Sequence, residues 1–197
     1  MEKAFAKLFG NYALSVSGWP TEAGYYLTGL DGGYINTSEK TADEIWALAS
    51  NLDSANHIMT AYSNVSQNGI QKWRMYSVIG VQTLEDGARV LKLRNPLGAY
   101  EWTGAYSDQV NDGIFNMTVE DFKAIFSELL YNYDTSNWHL SYWLKLGDAD
   151  KIGTTGRWPQ CGSTCKNNIF TITSPVKQTI YVATHMHMKR QYAESSC

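Results

Sequence analysis

Two β-rich runs, Trp73 to Thr83 and Ala88 to Asn95, are separated only by Leu84-Glu85-Asp86-Gly87. This spacing is the strongest single constraint on the fold. Asp-Gly favours a tight hairpin turn, because glycine accepts the positive φ that such turns need. A connection this short can only join neighbouring antiparallel strands, since a parallel pair needs a crossover of a dozen or more residues.

The rest of the chain fits around that hairpin. His57 to Tyr62 reads as a further strand. Phe5, Leu8, Phe9 and Tyr12 recur at helical spacing, which predicts a buried first helix. A Gly-rich connection from Gly24 to Gly33 leads to Thr41-Ala42-Asp43-Glu44, a capping-box pattern. Ile45, Leu48, Ala49 and Leu52 supply the stripe of a second helix. Thr118 to Asp121 repeats the cap, and Phe122, Ile125, Phe126, Leu129 and Leu130 predict a third helix. Trp138 to Leu146 alternates as a strand. Gly147 to Thr164 is loop-like, and short β runs follow at Ile169 to Thr173 and Thr179 to Thr184. These elements define an α+β chain with an antiparallel sheet and flanking helices, divided near residue 150 into segments 1–150 and 151–197.

Composition narrows the class. With 197 residues, 44% hydrophobic and 13% aromatic, the chain is globular. A net charge of −3, with Lys189-Arg190 as the densest basic run, gives no footprint for nucleic acid or an anionic membrane. No apolar stretch approaches the roughly 18–20 residues that span a bilayer. Met1 to Lys7 reads as an amphipathic helix rather than a signal peptide. The three cysteines, Cys161, Cys165 and Cys197, suit free thiols in a reducing compartment. The expected setting is cytoplasmic or cytoskeletal, an axoneme being one example.

Several motifs resemble one family. Arg94-Asn95-Pro96-Leu97-Gly98, followed by Glu101-Trp102-Thr103-Gly104, resembles the asparagine-bearing strand of the calpain cysteine proteases. Trp73-Arg74-Met75-Tyr76-Ser77-Val78 resembles the calpain stretch Gly-His-Ala-Tyr-Ser-Val. Glu2-Lys3-Ala4-Phe5-Ala6-Lys7-Leu8 resembles Glu-Lys-Ala-Tyr-Ala-Lys-Leu, and Asp112-Gly113-Ile114-Phe115-Asn116-Met117 resembles Asp-Gly-Glu-Phe-Trp-Met. Thr21-Glu22, Thr28-Gly29 and Gly32-Gly33 resemble the loop after the first helix. Cys165-Lys166-Asn167-Asn168 with Phe170 resembles the start of the following β-sandwich. The resemblance runs from about Glu2 to Val182. It implies a papain-like second protease lobe over 1–150, then a linker and part of a C2-like β-sandwich over 151–197. The first lobe, which holds the nucleophilic cysteine in the family, is expected to be missing.

The resemblance places Asn95 at the catalytic asparagine and Arg74 at the catalytic histidine. A cysteine protease needs an imidazole that accepts and then donates a proton. A guanidinium is not deprotonated in proteins, so Arg74 supplies fixed charge and no base. Leu97 replaces a family tryptophan that covers the Asn–His contact. Asn95 is then expected to be a structural remnant, and His57, His139, His185 and His187 to be ordinary histidines. Cys161 and Cys165, past the lobe, are poor substitutes for the nucleophile.

The family also binds calcium, which takes about six to eight oxygen ligands. Glu101, Asp108 and Asp112 match its acids, while Ile114 replaces the last one. The alternatives are a weakened calcium site completed by a carbonyl near Asn111, or a solvated acidic loop. Cys161, Cys165, His185 and His187 offer loose zinc-ligand spacing against ordinary surface residues. Trp138, Tyr142 and Trp143 suit a core or an interface better than a ligand platform. The leading expectation is a catalytically inactive calpain-like subunit that scaffolds an intracellular assembly and binds other protein chains. The alternatives are half of a split protease whose partner chain brings the cysteine, and a calcium-responsive regulatory module.

Overall fold

A computed structural model of the protein describes residues 2–29, 31–108, 110–134 and 176–177. The chain forms two compact units, and the architecture below belongs to the one built on Met1–Asn137; residues 176–177 belong to the other. The elements expected after residue 134, the boundary near residue 150, Cys161, Cys165, His139, His185, His187 and the Trp138, Tyr142 and Trp143 group lie outside the described residues.

The elements run α1 (Glu2–Leu8), α2 (Pro20–Thr28), β1 (Gly32–Asn36), α3 (Ala42–Ser54), β2 (Ile58–Ser63), β3 (Arg74–Thr83), β4 (Arg89–Arg94), β5 (Ile114–Thr118), α4 (Val119–Ile125) and β6 (Phe126–Asn132). The strands form one sheet in the order β1-β6-β2-β3-β4-β5. Every pairing is antiparallel. The fold is therefore α+β, an antiparallel sheet with flanking helices, as expected of a calpain protease lobe. Among the described residues no helix is long and apolar enough to cross a membrane.

The hairpin forms where Asp-Gly predicts it, with a three-residue loop. Leu84 N–H donates to the Ala88 carbonyl at 2.8 Å and Gly87 N–H to the Leu84 carbonyl at 2.9 Å. Gly87 takes φ 85°, the left-handed conformation that this loop demands. The capping box of α3 is complete: Glu44 N–H donates to Thr41 Oγ1 at 3.2 Å, and Thr41 N–H donates to Glu44 Oε2 at 2.8 Å. Ile45, Ala49 and Leu52 are buried and Leu48 is half-buried. With Phe122 and Ile125 of α4 they cover Ala61, Tyr76, Val78, Leu91, Leu93, Phe115, Met117 and Leu129, and this layer is the core.

Three expectations need correction. The predicted third helix stops at Ile125, and Phe126–Asn132 is a strand paired with both β1 and β2. A central strand buried on both faces also places Phe126, Leu129 and Leu130 inside, so helical spacing and a fully buried strand give the same pattern over so short a run. The first helix ends at Leu8 and Gly10 turns the chain at φ 99°. Leu8 and Tyr12 are consequently exposed, while Phe9 packs on Phe5 and Tyr26 at ring separations of 4.8 and 4.9 Å.

The Gly24 to Gly33 connection, finally, holds ordered structure: most of α2 and the start of β1. Pro20 sits in the first turn of α2, and Gly29 closes it with an N–H bond to the Tyr25 carbonyl at 2.7 Å. Gly24 is needed because α2 lies against β6. A Cβ there would come within 2.5 Å of the Asn132 side chain, whose Nδ2 donates to the Thr21 carbonyl at 3.1 Å.

Candidate functional site

Antiparallel register brings the two singled-out residues to one end of the sheet. Ser63 pairs with Arg74, Ser77 with Arg94, and Arg94 with Ile114. The C-termini of β2 and β4 and the N-termini of β3 and β5 therefore meet there, with loops 64–73 and 95–113. Extending the β3–β4 register past Arg94 sets Asn95 level with Tyr76, on the diagonal from Arg74 and about 7–8 Å from it between α-carbons.

Asn95 is fully buried, and its amide serves its own loop. Nδ2 donates to the Ala99 carbonyl at 2.6 Å and to the Tyr100 carbonyl at 3.2 Å. Oδ1 accepts from Leu97 N–H at 3.1 Å. Its backbone N–H donates to the Gly113 carbonyl at 2.7 Å, and its carbonyl accepts from Gly98 N–H at 3.0 Å. An amide has two N–H donors. Both are committed to the loop, so Asn95 fixes the chain from Leu97 to Tyr100 and has no donor to spare for a side chain at position 74.

Arg74 is exposed, and among the described residues its guanidinium makes no hydrogen bond or ion pair. Its charge is felt by Tyr76, which is buried and packs edge-on against Phe115 and Phe126. Burial pushes the Tyr76 hydroxyl pKa up, while the bond it accepts from Gln71 N–H and the Arg74 charge pull it back. Before it, Trp73 takes φ 58° and is 70% exposed, where the resembling stretch has glycine. Lys72 Nζ sits 4.6 Å over the Trp73 ring. The sequence carries this signal: a bulky residue where the resembling stretch has glycine foretells a strained backbone or a moved one, and here the strained conformation is kept.

The three acids do different work. Glu101, only 8% exposed, accepts from Gly113 N–H and ties the two arms of the long loop. Asp108 Oδ1 accepts from Val110 N–H at 3.0 Å, and Asp112 Oδ1 from Ile114 N–H at 2.9 Å. Among the described residues no three His, Cys, Asp or Glu side chains group closely enough to hold a metal ion. A calcium ion here would take most of its oxygens from carbonyls and water. Farther out, Tyr106 donates to Asp86 at 2.8 Å, strapping this loop to the hairpin. The Asp86 carboxyl is held below its usual range first by Ala88 N–H and then by Tyr106.

His57 does not reach this end. Met59 pairs with Val78, so His57 lies level with about Gly80, six residues and roughly 20 Å along β3 from Arg74. Its Nδ1 accepts from Asp134 N–H at 2.9 Å. It lines a shallow depression of about 380 Å³ with Asp53, Asn56, Ser77 and Ile79, away from Asn95.

An antiparallel lobe with a buried asparagine at its strand ends invites comparison with known proteins. The family model described as calpain family cysteine protease matches residues 1–112, more than half of the chain. The chain belongs to the calpain family. It is 31% identical to mouse (Mus musculus) calpain-12 over 153 residues, covering 64% of this chain and 21% of that protein. It is 29% identical to human (Homo sapiens) calpain-14 over 190 residues, covering 79% and 27% respectively. The Arabidopsis thaliana calpain-type cysteine protease DEK1 is 29% identical over 159 residues, covering 66% of this chain and 7% of its own. The chain thus spans about a quarter or less of the length of these relatives.

Proposed function

We propose that this calpain-family chain does not hydrolyse peptides and serves as a protein-binding, structural subunit of a larger intracellular assembly, cytoplasmic or cytoskeletal. The observation that carries the reading is Arg74 at the position of the family's histidine. General base catalysis needs a group that exchanges a proton near the working pH, and a guanidinium does not. Asn95 supports the reading, because its amide is engaged with Leu97, Ala99 and Tyr100 instead of orienting a base. Binding is supported by Trp73, Leu97 and Tyr100, which expose 70%, 53% and 56% of their surface at this one end of the sheet.

Native mass spectrometry of the complex purified through this chain, alongside labelling with a thiol-reactive protease probe, tests the proposal. Stoichiometric partner chains without probe labelling are expected. A partner whose labelling and peptide cleavage depend on this chain would instead make it half of a split protease.

A further inference from the structure

The end of the sheet that would hold the histidine carries three features with no use in hydrolysis. Trp73 and Tyr100 both take left-handed backbone conformations, at φ 58° and 63°. Bulky residues rarely do so, and such strain persists where surrounding structure enforces it, often at recognition sites. The enforcing contacts are visible. Trp73 N–H donates to the Ser63 carbonyl at 2.7 Å, and the Tyr100 carbonyl accepts from Asn95 Nδ2 at 3.2 Å. Both side chains nevertheless point away from the core and are mostly exposed.

The second feature is charge. Lys72 and Arg74 flank Trp73, and among the described residues neither forms an ion pair. Acids of the long loop already hold backbone donors: Glu101 is buried on Gly113 N–H, and Asp112 accepts from Ile114 N–H. The third feature is an exposed apolar side chain. Leu97, 53% exposed, sits in the turn that Gly98 N–H closes on the Asn95 carbonyl, just past the β4 end where Arg94 pairs with Ser77, and so at the same end of the sheet as Arg74.

We propose that Lys72, Trp73, Arg74, Leu97 and Tyr100 form a docking site for an acidic peptide segment that carries an aromatic residue. Arg74 takes a carboxylate, for which the planar guanidinium offers paired donors. The indole and phenol flank the aromatic residue. Lys72, seated over the Trp73 ring, holds the indole and adds positive charge. Asn95 is a positioning residue here, because it fixes Tyr100 without touching the peptide. The site names the partner chemistry of the non-hydrolytic reading and rests on it.

The test uses the purified full chain and a fluorescein-labelled Asp-Glu-Phe-Glu-Asp peptide, read by fluorescence anisotropy and, in the same samples, by chromatography for cleavage. Saturable binding is expected. It should weaken about tenfold or more in Arg74→Glu, weaken in Trp73→Gly and at high salt, and stay unchanged in Lys7→Glu on α1. Thermal melts confirm that each variant is folded, and Trp73→Gly suits the observed φ even if Arg74→Glu does not fold. No binding, equal binding by folded Arg74→Glu, or equal binding of Lys-Lys-Phe-Lys-Lys or an oligothymidylate overturns the site. Binding with cleavage upholds the site and overturns the non-hydrolytic reading. Absence of binding leaves that reading standing.

Discussion

Trp73 gives the sharpest energetic prediction. Its φ of 58° costs an L-residue about 1–2 kcal/mol relative to ordinary backbone, a penalty that glycine escapes. Glycine in turn loses about 0.5–1 kcal/mol relative to alanine through its freer unfolded chain. At position 73 the first effect wins, so Trp73→Gly should be more stable than Trp73→Ala by about 1 kcal/mol. Comparing the two variants cancels the loss of the indole and of its contact with Lys72. Tyr34, 61% exposed in β1 and without positive φ, supplies the control, because only the entropy effect acts there. Tyr34→Ala should exceed Tyr34→Gly by about 0.5–1 kcal/mol. In thermal unfolding each 1 kcal/mol is worth about 2–4 °C for a chain of this size. The signature is a reversal of sign between the two positions. Alanine equal to or better than glycine at position 73 would refute the strained backbone and the part it plays in the docking site.

Asn95→Ala should cost about 2–3 kcal/mol in urea unfolding, since it leaves the Ala99 and Tyr100 carbonyls and Leu97 N–H without their side-chain partner in a partly buried turn; a loss well below 1 kcal/mol would contradict the bonding described. Thr41→Ala should cost about 1 kcal/mol by removing the α3 cap. The Glu44 carboxyl is held below its usual range chiefly by Thr41 N–H, so its share of stability is present above its unfolded pKa and is lost as pH falls through the folded one; a Glu44→Gln deficit should therefore shrink below about pH 4. Glu128 goes the other way, because burial raises its carboxyl pKa. Its charged form is disfavoured in the fold, so Glu128→Gln should gain stability at neutral pH, and the gain should fade below about pH 4, as a melting series at stepped pH would record.

What the sequence disclosed follows from which signals are local. The Thr41–Glu44 cap and the Asp86-Gly87 hairpin were legible because each is set by residues within a few places of one another. The strand nature of Phe126–Asn132 was not, since its partners β1 and β2 lie far away in sequence and its burial pattern also fits a helix. The fold of the Gly24 to Gly33 region was hidden for a related reason: Gly24 serves a close approach to Asn132, a contact 108 positions distant, rather than a loop. At the site, the family resemblance singled out Arg74 and Asn95, and the register of β3 and β4 puts both at one end of the sheet. The inward turn of the Asn95 amide was beyond the sequence, because an asparagine that orients a base and one that closes its own loop are the same letter. The left-handed Trp73 was half visible, in the glycine it replaces.

The most direct test of the central claim is cleavage of a fluorogenic calpain substrate by the complex isolated through this chain from its native source, with and without calcium, beside the complex bearing Arg74→Ala. Cleavage no higher than in a mock isolation, and unaltered by the substitution, is the result predicted for a non-hydrolytic calpain-family subunit. Cleavage that depends on this chain and is lost with Arg74→Ala would contradict it.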